Sequence, residues 1–154
     1  MKTSAFVLLA AILVPHAAIM GQSLEDSLAI EETCRNYVEG WAEGNVARVD
    51  QAVSPELVKR TVSQDKEGIN FTSDMSASLL KMVTKLNLQG VRAKDLEPEK
   101  PFSLEVKICD ITGGFAMART SNTKYGFFDY CQLAKFNGEW KIINVLWGYI
   151  PQEK

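Results

Sequence analysis

KYGFFDYCQLAKFNGEWKIINVLWGY (Lys124–Tyr149) decides how this chain is read. Two runs rich in aromatic and β-branched residues flank Asn137-Gly138, the strongest short-range signal for a two-residue type I′ hairpin. A tight turn fixes the register, so the regular ladder pairs Phe136 with Glu139, Leu133 with Ile142, Cys131 with Asn144, Asp129 with Leu146 and Phe128 with Trp147. One face then carries Phe127, Asp129, Cys131, Leu133, Trp140, Ile142, Asn144 and Leu146. The other carries Phe128, Tyr130, Gln132, Ala134, Lys141, Ile143, Val145 and Trp147. Both are too apolar for a sheet with one side in water. The expectation is that helices of the same chain cover one face and a second subunit covers the other.

Upstream, Ser23 and Asp26 read as a capping box. Ile30, Cys34, Tyr37, Val38 and Trp41 follow at the spacing of an amphipathic helix ending at Gly44. Asn45 caps a short second helix whose Val46, Val49, Ala52 and Val53 share a face, and Pro55 closes it. Glu56 to Val62 reads as a strand, with Leu57, Lys59 and Thr61 on one side. A polar loop (SQDKEGINFT) leads to a third helix from Ser73, with Met75, Leu79, Met82, Val83 and Leu86 on its apolar face. Asn87 to Pro101 is polar, and its prolines argue against regular structure. Alternation of Leu104, Val106 and Ile108 gives the next strand, Phe115 to Arg119 another, and the hairpin completes four antiparallel strands. The fold class is α+β, a sheet layered on three helices.

The 154 residues suit one domain. Residues 1–21 have the plan of a secretory signal: Met1-Lys2, an apolar run from Ala5 to Val14, then small residues to Gly21. The run is shorter than the about 20 residues a bilayer requires. Cleavage after Gly21 leaves a domain of residues 22–154, exported to the periplasm or secreted and free of the membrane; an uncleaved anchor is the alternative. It also removes His16, the sole histidine, and with it histidine-based catalysis and the commonest transition-metal ligand. The remaining 16 basic and 19 acidic residues give a net charge of −3 with no basic run, which argues against nucleic acid as a partner. Cys34, Cys109 and Cys131 match no metal motif; Cys34 and Cys131 are the pair that could share an interior. No cofactor, metal or catalytic residue is assigned.

The order of elements together with GFFDYCQLAKFNGEWKIINVLW resembles the nuclear transport factor 2-like superfamily, and within it the branch described as putative lumazine-binding. The residues carrying the likeness are Asp129-Tyr130, Leu133, Lys135, Gly138, Trp140-Lys141-Ile142 and Trp147, with Tyr37, Trp41, Gly44, Pro55-Glu56-Leu57 and Lys59-Arg60 upstream. The resemblance implies a cone-shaped roll: a strongly bent, mainly antiparallel sheet wrapped around three N-terminal helices, open to a pocket and paired through its outer face. The branch often has a histidine before the first-strand proline; here that position is Ser54. Ketosteroid isomerases of the superfamily place a tyrosine where Tyr37 lies, but their base would fall near Thr61, where no carboxylate stands.

Polar groups on an apolar inner face must be paired or meet a ligand. Tyr37, Trp41, Asp129, Asn144 and Trp140 are therefore the expected pocket residues. Alternatively, Tyr37 is a core aromatic, and Asp129 is the buried partner of Arg60 or Arg119 or is solvated. Phe128, Tyr130, Val145 and Trp147 are the expected homodimer interface, unless the tail or the polar loop covers them. The leading functional reading is an exported domain that binds a small apolar or heteroaromatic molecule. The alternatives are an isomerase, dehydratase or cyclase using Asp129 and Tyr37, and a dimeric interaction module whose cone is filled by its own side chains.

Overall fold

The computed structural model describes residues 16–87 and 101–151, with side chains from residue 24 onward. Most of the expected signal segment, and the polar stretch 88–100, lie outside the described residues. The elements are α1 (His16–Glu43), α2 (Val46–Ala52), β1 (Val53–Gln64), β2 (Asn70–Ser76), α3 (Ala77–Asn87), β3 (Leu104–Thr112), β4 (Phe115–Asn122), β5 (Phe127–Phe136) and β6 (Glu139–Tyr149). One mixed sheet has the order β2-β1-β6-β5-β4-β3. Among the described residues, only β1 and β6 pair in parallel. The bent sheet wraps the helices as an α+β cone.

The helix stripe read from the sequence is the core. Ile30, Cys34, Tyr37 and Val38 are all buried against the sheet, with Trp41 packed at the edge of the same cluster. Asn45 caps α2 as expected, accepting from the Arg48 N–H at 3.2 Å. Ser23 and Asp26 do not open a helix, because α1 runs through them from His16. Asp26 instead accepts from Lys135 Nζ at 2.6 Å and Trp140 Nε1 at 3.0 Å, tying α1 to the base of the final hairpin.

Two expectations of local structure are corrected. Residues 70–76 form a strand, β2, pairing antiparallel with β1 from Val58–Ser76 to Gln64–Asn70. Its side chains are exposed except for a half-buried Met75, so this edge strand carries little hydrophobic alternation to betray it. The third helix accordingly starts at Ala77, with the Ser76 hydroxyl accepting from the Leu79 N–H. It buries Ala77, Leu80 and Thr84, whereas Leu79, Met82 and Leu86 of the anticipated face are exposed.

The second correction concerns the hairpin. Asn137 (φ 51°) and Gly138 (φ 92°) supply the two positive φ values of a type I′ turn, and the ladder begins as expected at Phe136–Glu139 and Leu133–Ile142. The next pair is Gln132–Asn144, so Ile143 is an extra residue on β6. A bulge of this kind bends the strand and reverses the facing of everything beyond it. Cys131 therefore faces Val145, Asp129 faces Trp147 and Phe128 faces Gly148. Val145 is buried and Trp147 packs against the core, while Asn144 and Leu146 move to the outer face and are exposed.

Gly40 marks where α1 and α2 meet most closely: a Cβ there would lie 2.8 Å from Arg48 Cβ and 3.2 Å from both the Asn45 carbonyl oxygen and Val49 Cγ2. Helix propensity alone would make Gly40→Ala stabilising by about 1 kcal/mol. We expect the reverse, a loss of about 1–3 kcal/mol from overpacking, read as a lowered denaturation midpoint. A raised midpoint would show that the two helices can separate without cost.

Candidate functional site

Three elements bring one charged cluster into the apolar interior. Tyr37 comes from α1, Lys59 from the inward side of β1 and Asp129 from the inward side of β5; all three are buried. Lys59 Nζ donates to Asp129 Oδ1 and to Tyr37 Oη, each at 2.5 Å. The Tyr37 hydroxyl donates to the same Asp129 oxygen at 3.3 Å. Thr120, which faces Asp129 across the β4–β5 ladder, donates to Oδ2 at 3.2 Å. Both carboxylate oxygens are thus satisfied, as a fully buried charge requires. Burial first, and the Asp129 charge second, push the Tyr37 hydroxyl well above its ordinary pKa, so it stays protonated.

Beside the cluster opens a cavity of about 330 Å³. Lys59 and Tyr37 lie on its wall with the rings of Trp41, Tyr125, Phe127 and Trp147; Met75, Leu80 and Val83 contribute aliphatic surface, and Tyr149 also lines it. The rings stand edge to face. Centroids are 4.9 Å apart for Trp41–Tyr125, 5.3 Å for Trp41–Phe127 and 6.4 Å for Phe127–Trp147. Lys59 Nζ sits 5.0 Å from the Trp147 ring centre, 5.3 Å from Tyr37 and 5.5 Å from Phe127, so aromatic faces also stabilise its charge. Tyr125 is set at the wall by the β4–β5 turn, where Asn122 Oδ1 accepts from its backbone N–H at 2.8 Å.

The expected site residues separate into three places. Tyr37 and Trp41 line the cavity, and Asp129 is buried behind Lys59. Trp140 is inside but at the other end of the hairpin, bonded to Asp26; the Lys135 hydrogen bond first, and Trp140 second, hold the Asp26 carboxyl below its usual pKa. Asn144 lies on the outer face, where its Nδ2 donates to Gln132 Oε1, a direct result of the bulge. Of the expected interface residues, Phe128 and Tyr130 stack at 5.3 Å on the outer face, whereas Val145 and Trp147 face inward. Neither arginine considered for Asp129 reaches it: Arg60 pairs with Asp74 on β2, and Arg119 lies over the Phe128 ring.

Lys59 is the residue the sequence reading missed as a site. Its signal was present, since alternation in ELVKRTV put it on the side of Leu57, and an inward lysine needs an inward carboxylate. Ser54, where the resembling branch often has histidine, is buried and its hydroxyl accepts from the Glu56 N–H. Cys34 and Cys131 are both buried free thiols, as the shared-interior expectation had placed them; contact with Cys34 first, and burial second, raise the Cys131 thiol pKa. Cys109 is exposed.

Removing one member of a buried ion pair leaves the other charge stranded. Lys59→Met is expected to destabilise by about 3–5 kcal/mol in chemical denaturation, and the double variant Lys59→Met/Asp129→Leu by distinctly less. Additive losses would show that the two groups do not act as a pair.

Residues 25–148 match the model of the family described as "Putative lumazine-binding". No curated protein matches the chain. Among solved structures, it is similar to an NTF2-like protein of unknown function from Shewanella baltica OS155, with 22% identity, 84% of this chain and 97% of that one covered, and a TM-score of 0.62. An NTF2-like protein with a cystatin-like fold from Novosphingobium aromaticivorans gives 11% identity, 94% coverage of both chains and a TM-score of 0.59. A ketosteroid isomerase-like protein from Erwinia carotovora atroseptica gives 13% identity, 81% and 96% coverage and a TM-score of 0.53. At these identities the structural likeness speaks for the fold, and the family match covers most of the chain. The chain belongs to the family described as "Putative lumazine-binding", and its fold is that of the NTF2-like proteins.

Proposed function

We propose that this protein is an exported small-molecule-binding domain whose cavity takes a flat apolar or heteroaromatic molecule. The observation that carries the reading is the combination of an aromatic-walled hollow of about 330 Å³ with one buried, charge-balanced cluster on its wall. That is the general form of a ligand site: mostly apolar, of a few hundred cubic ångströms, with a small number of placed polar groups. Membership of a family described as lumazine-binding points the same way. The N-terminal charge and hydropathy pattern supports export.

Binding is favoured over acid–base catalysis because the groups that would act are occupied with one another. Asp129 is fully buried with both oxygens bonded, and the Tyr37 hydroxyl is held between Lys59 and Asp129. The outer face supports a homodimer, through the cross-strand pair Tyr130–Leu146 with Met117 and Val58 diagonal to it, all four exposed. This patch replaces Val145 and Trp147 of the sequence-based surface by their outward-facing neighbours.

Native mass spectrometry of protein purified gently from its host is the test of binding and export together. The expected result is a chain beginning at Gln22 with a small molecule bound, and loss of that molecule in Trp147→Ala. A bare chain that also takes up no aromatic probe would overturn the binding reading, and a chain retaining residues 1–21 would overturn the cleavage. For the dimer, sedimentation at micromolar concentration should give twice the chain mass, falling to the monomer in Leu146→Asp. A monomer in the unsubstituted protein would remove the interface.

A further inference from the structure

We infer that the cavity selects a neutral ligand that presents a carbonyl-type oxygen to Lys59 Nζ, an inference that rests on the cavity being a binding site. Among the described residues, Lys59 is the only charged one on the cavity wall. An ammonium has three N–H donors. Two are taken, by Asp129 Oδ1 and Tyr37 Oη, and among the described residues no third hydrogen-bond acceptor is bonded. The remaining donor belongs to a side chain that lines the cavity, its nitrogen surrounded by the rings of Tyr37, Phe127 and Trp147. An aromatic face compensates a cation, but an oxygen acceptor in the same low-dielectric place would do so better.

Charge balance then selects among acceptors. Asp129 already neutralises Lys59, and the Tyr37 hydroxyl keeps its proton because burial and the Asp129 charge both oppose its loss. A ligand carboxylate would make two buried anions share one ammonium, leaving a net negative charge in an apolar site. A ligand cation would face the ammonium directly. A ketone, lactone or lactam oxygen accepts the free N–H and changes no charge. The aromatic walls accommodate a flat body behind it, so the geometry favours a neutral aromatic carbonyl compound over an aromatic acid of the same size.

Three bicyclic probes of similar shape separate these possibilities: coumarin with a carbonyl, naphthalene with none, and 2-naphthoate with a carboxylate. Dissociation constants are read by ligand-observed NMR on the full folded protein. Coumarin is expected to bind at least about tenfold more tightly than either of the others, the worth of one hydrogen bond to a charged donor. In Lys59→Met/Asp129→Asn, which removes both charges together and so avoids a stranded ion, the coumarin preference should vanish while naphthalene binding persists. Equal binding of all three probes, or tightest binding of 2-naphthoate, would overturn this inference and leave the pocket standing. Binding of none would overturn the pocket as well.

Discussion

One inserted residue, Ile143, governs which side chains reach the inside of this fold. Strand facing alternates strictly, so an extra residue on β6 exchanges the inner and outer sets for the rest of the strand. Without it, Asn144 and Leu146 would face α1, and Trp147 would stand outside. With it, Val145 joins the buried core, and Trp147 comes to lie opposite Asp129 and beside Lys59. Bulges bend strands, and this one, with the register shifts at Val53/Val58 and Ile108/Asp110, lies in the sheet that wraps the helices. Trp147 reaches the cavity wall through that reversal, beside Tyr37, Lys59 and Asp129, which face inward without it.

Within the curved sheet, the Lys59–Asp129 pair works as a join between distant parts of the chain. Burying two charges is costly, and it is tolerated here because each has several compensating partners: Thr120 and Tyr37 on the carboxylate, three rings and the Tyr37 oxygen around the ammonium. The partners come from α1, β1, β4, β5 and β6. An apolar contact would tolerate sliding among these elements, whereas a hydrogen-bonded ion pair fixes their relative position. That precision places Lys59 on the wall of the cavity instead of letting its long side chain reach water.

Much of this architecture was legible in the sequence. The helical stripe Ile30–Cys34–Tyr37–Val38 and the Asn137-Gly138 turn have strong local signatures and appear as read. Two features lacked such signatures. β2 is an exposed edge strand, so nothing in its hydrophobic pattern distinguishes it from a loop, and the helix after it was consequently phased wrongly. The bulge has no local mark either: Ile142-Ile143 satisfies either facing, because one isoleucine is as apolar as the next. Tyr37 and Trp41 were placed on the cavity because they precede any such slip in register. Asn144, Val145, Leu146 and Trp147 were misplaced because they follow it. Asp129 was correctly turned inward, but its partner was sought among arginines that the β1 and β4 alternation directs outward.

The parallel contact of β1 with β6 joins an early strand to the last one. Every other ladder links neighbours in sequence, so β1, β2 and α3 form one unit and β3 to β6 another, and only this edge unites them in the sheet. A chain emerging from the ribosome cannot close this sheet until β6 arrives, and until then Lys59 is not held against Asp129. Such long-range closure slows folding, because β1 must wait for β6. The hollow comes into being as β6 docks, so any molecule it holds can enter its finished form only after that strand is in place.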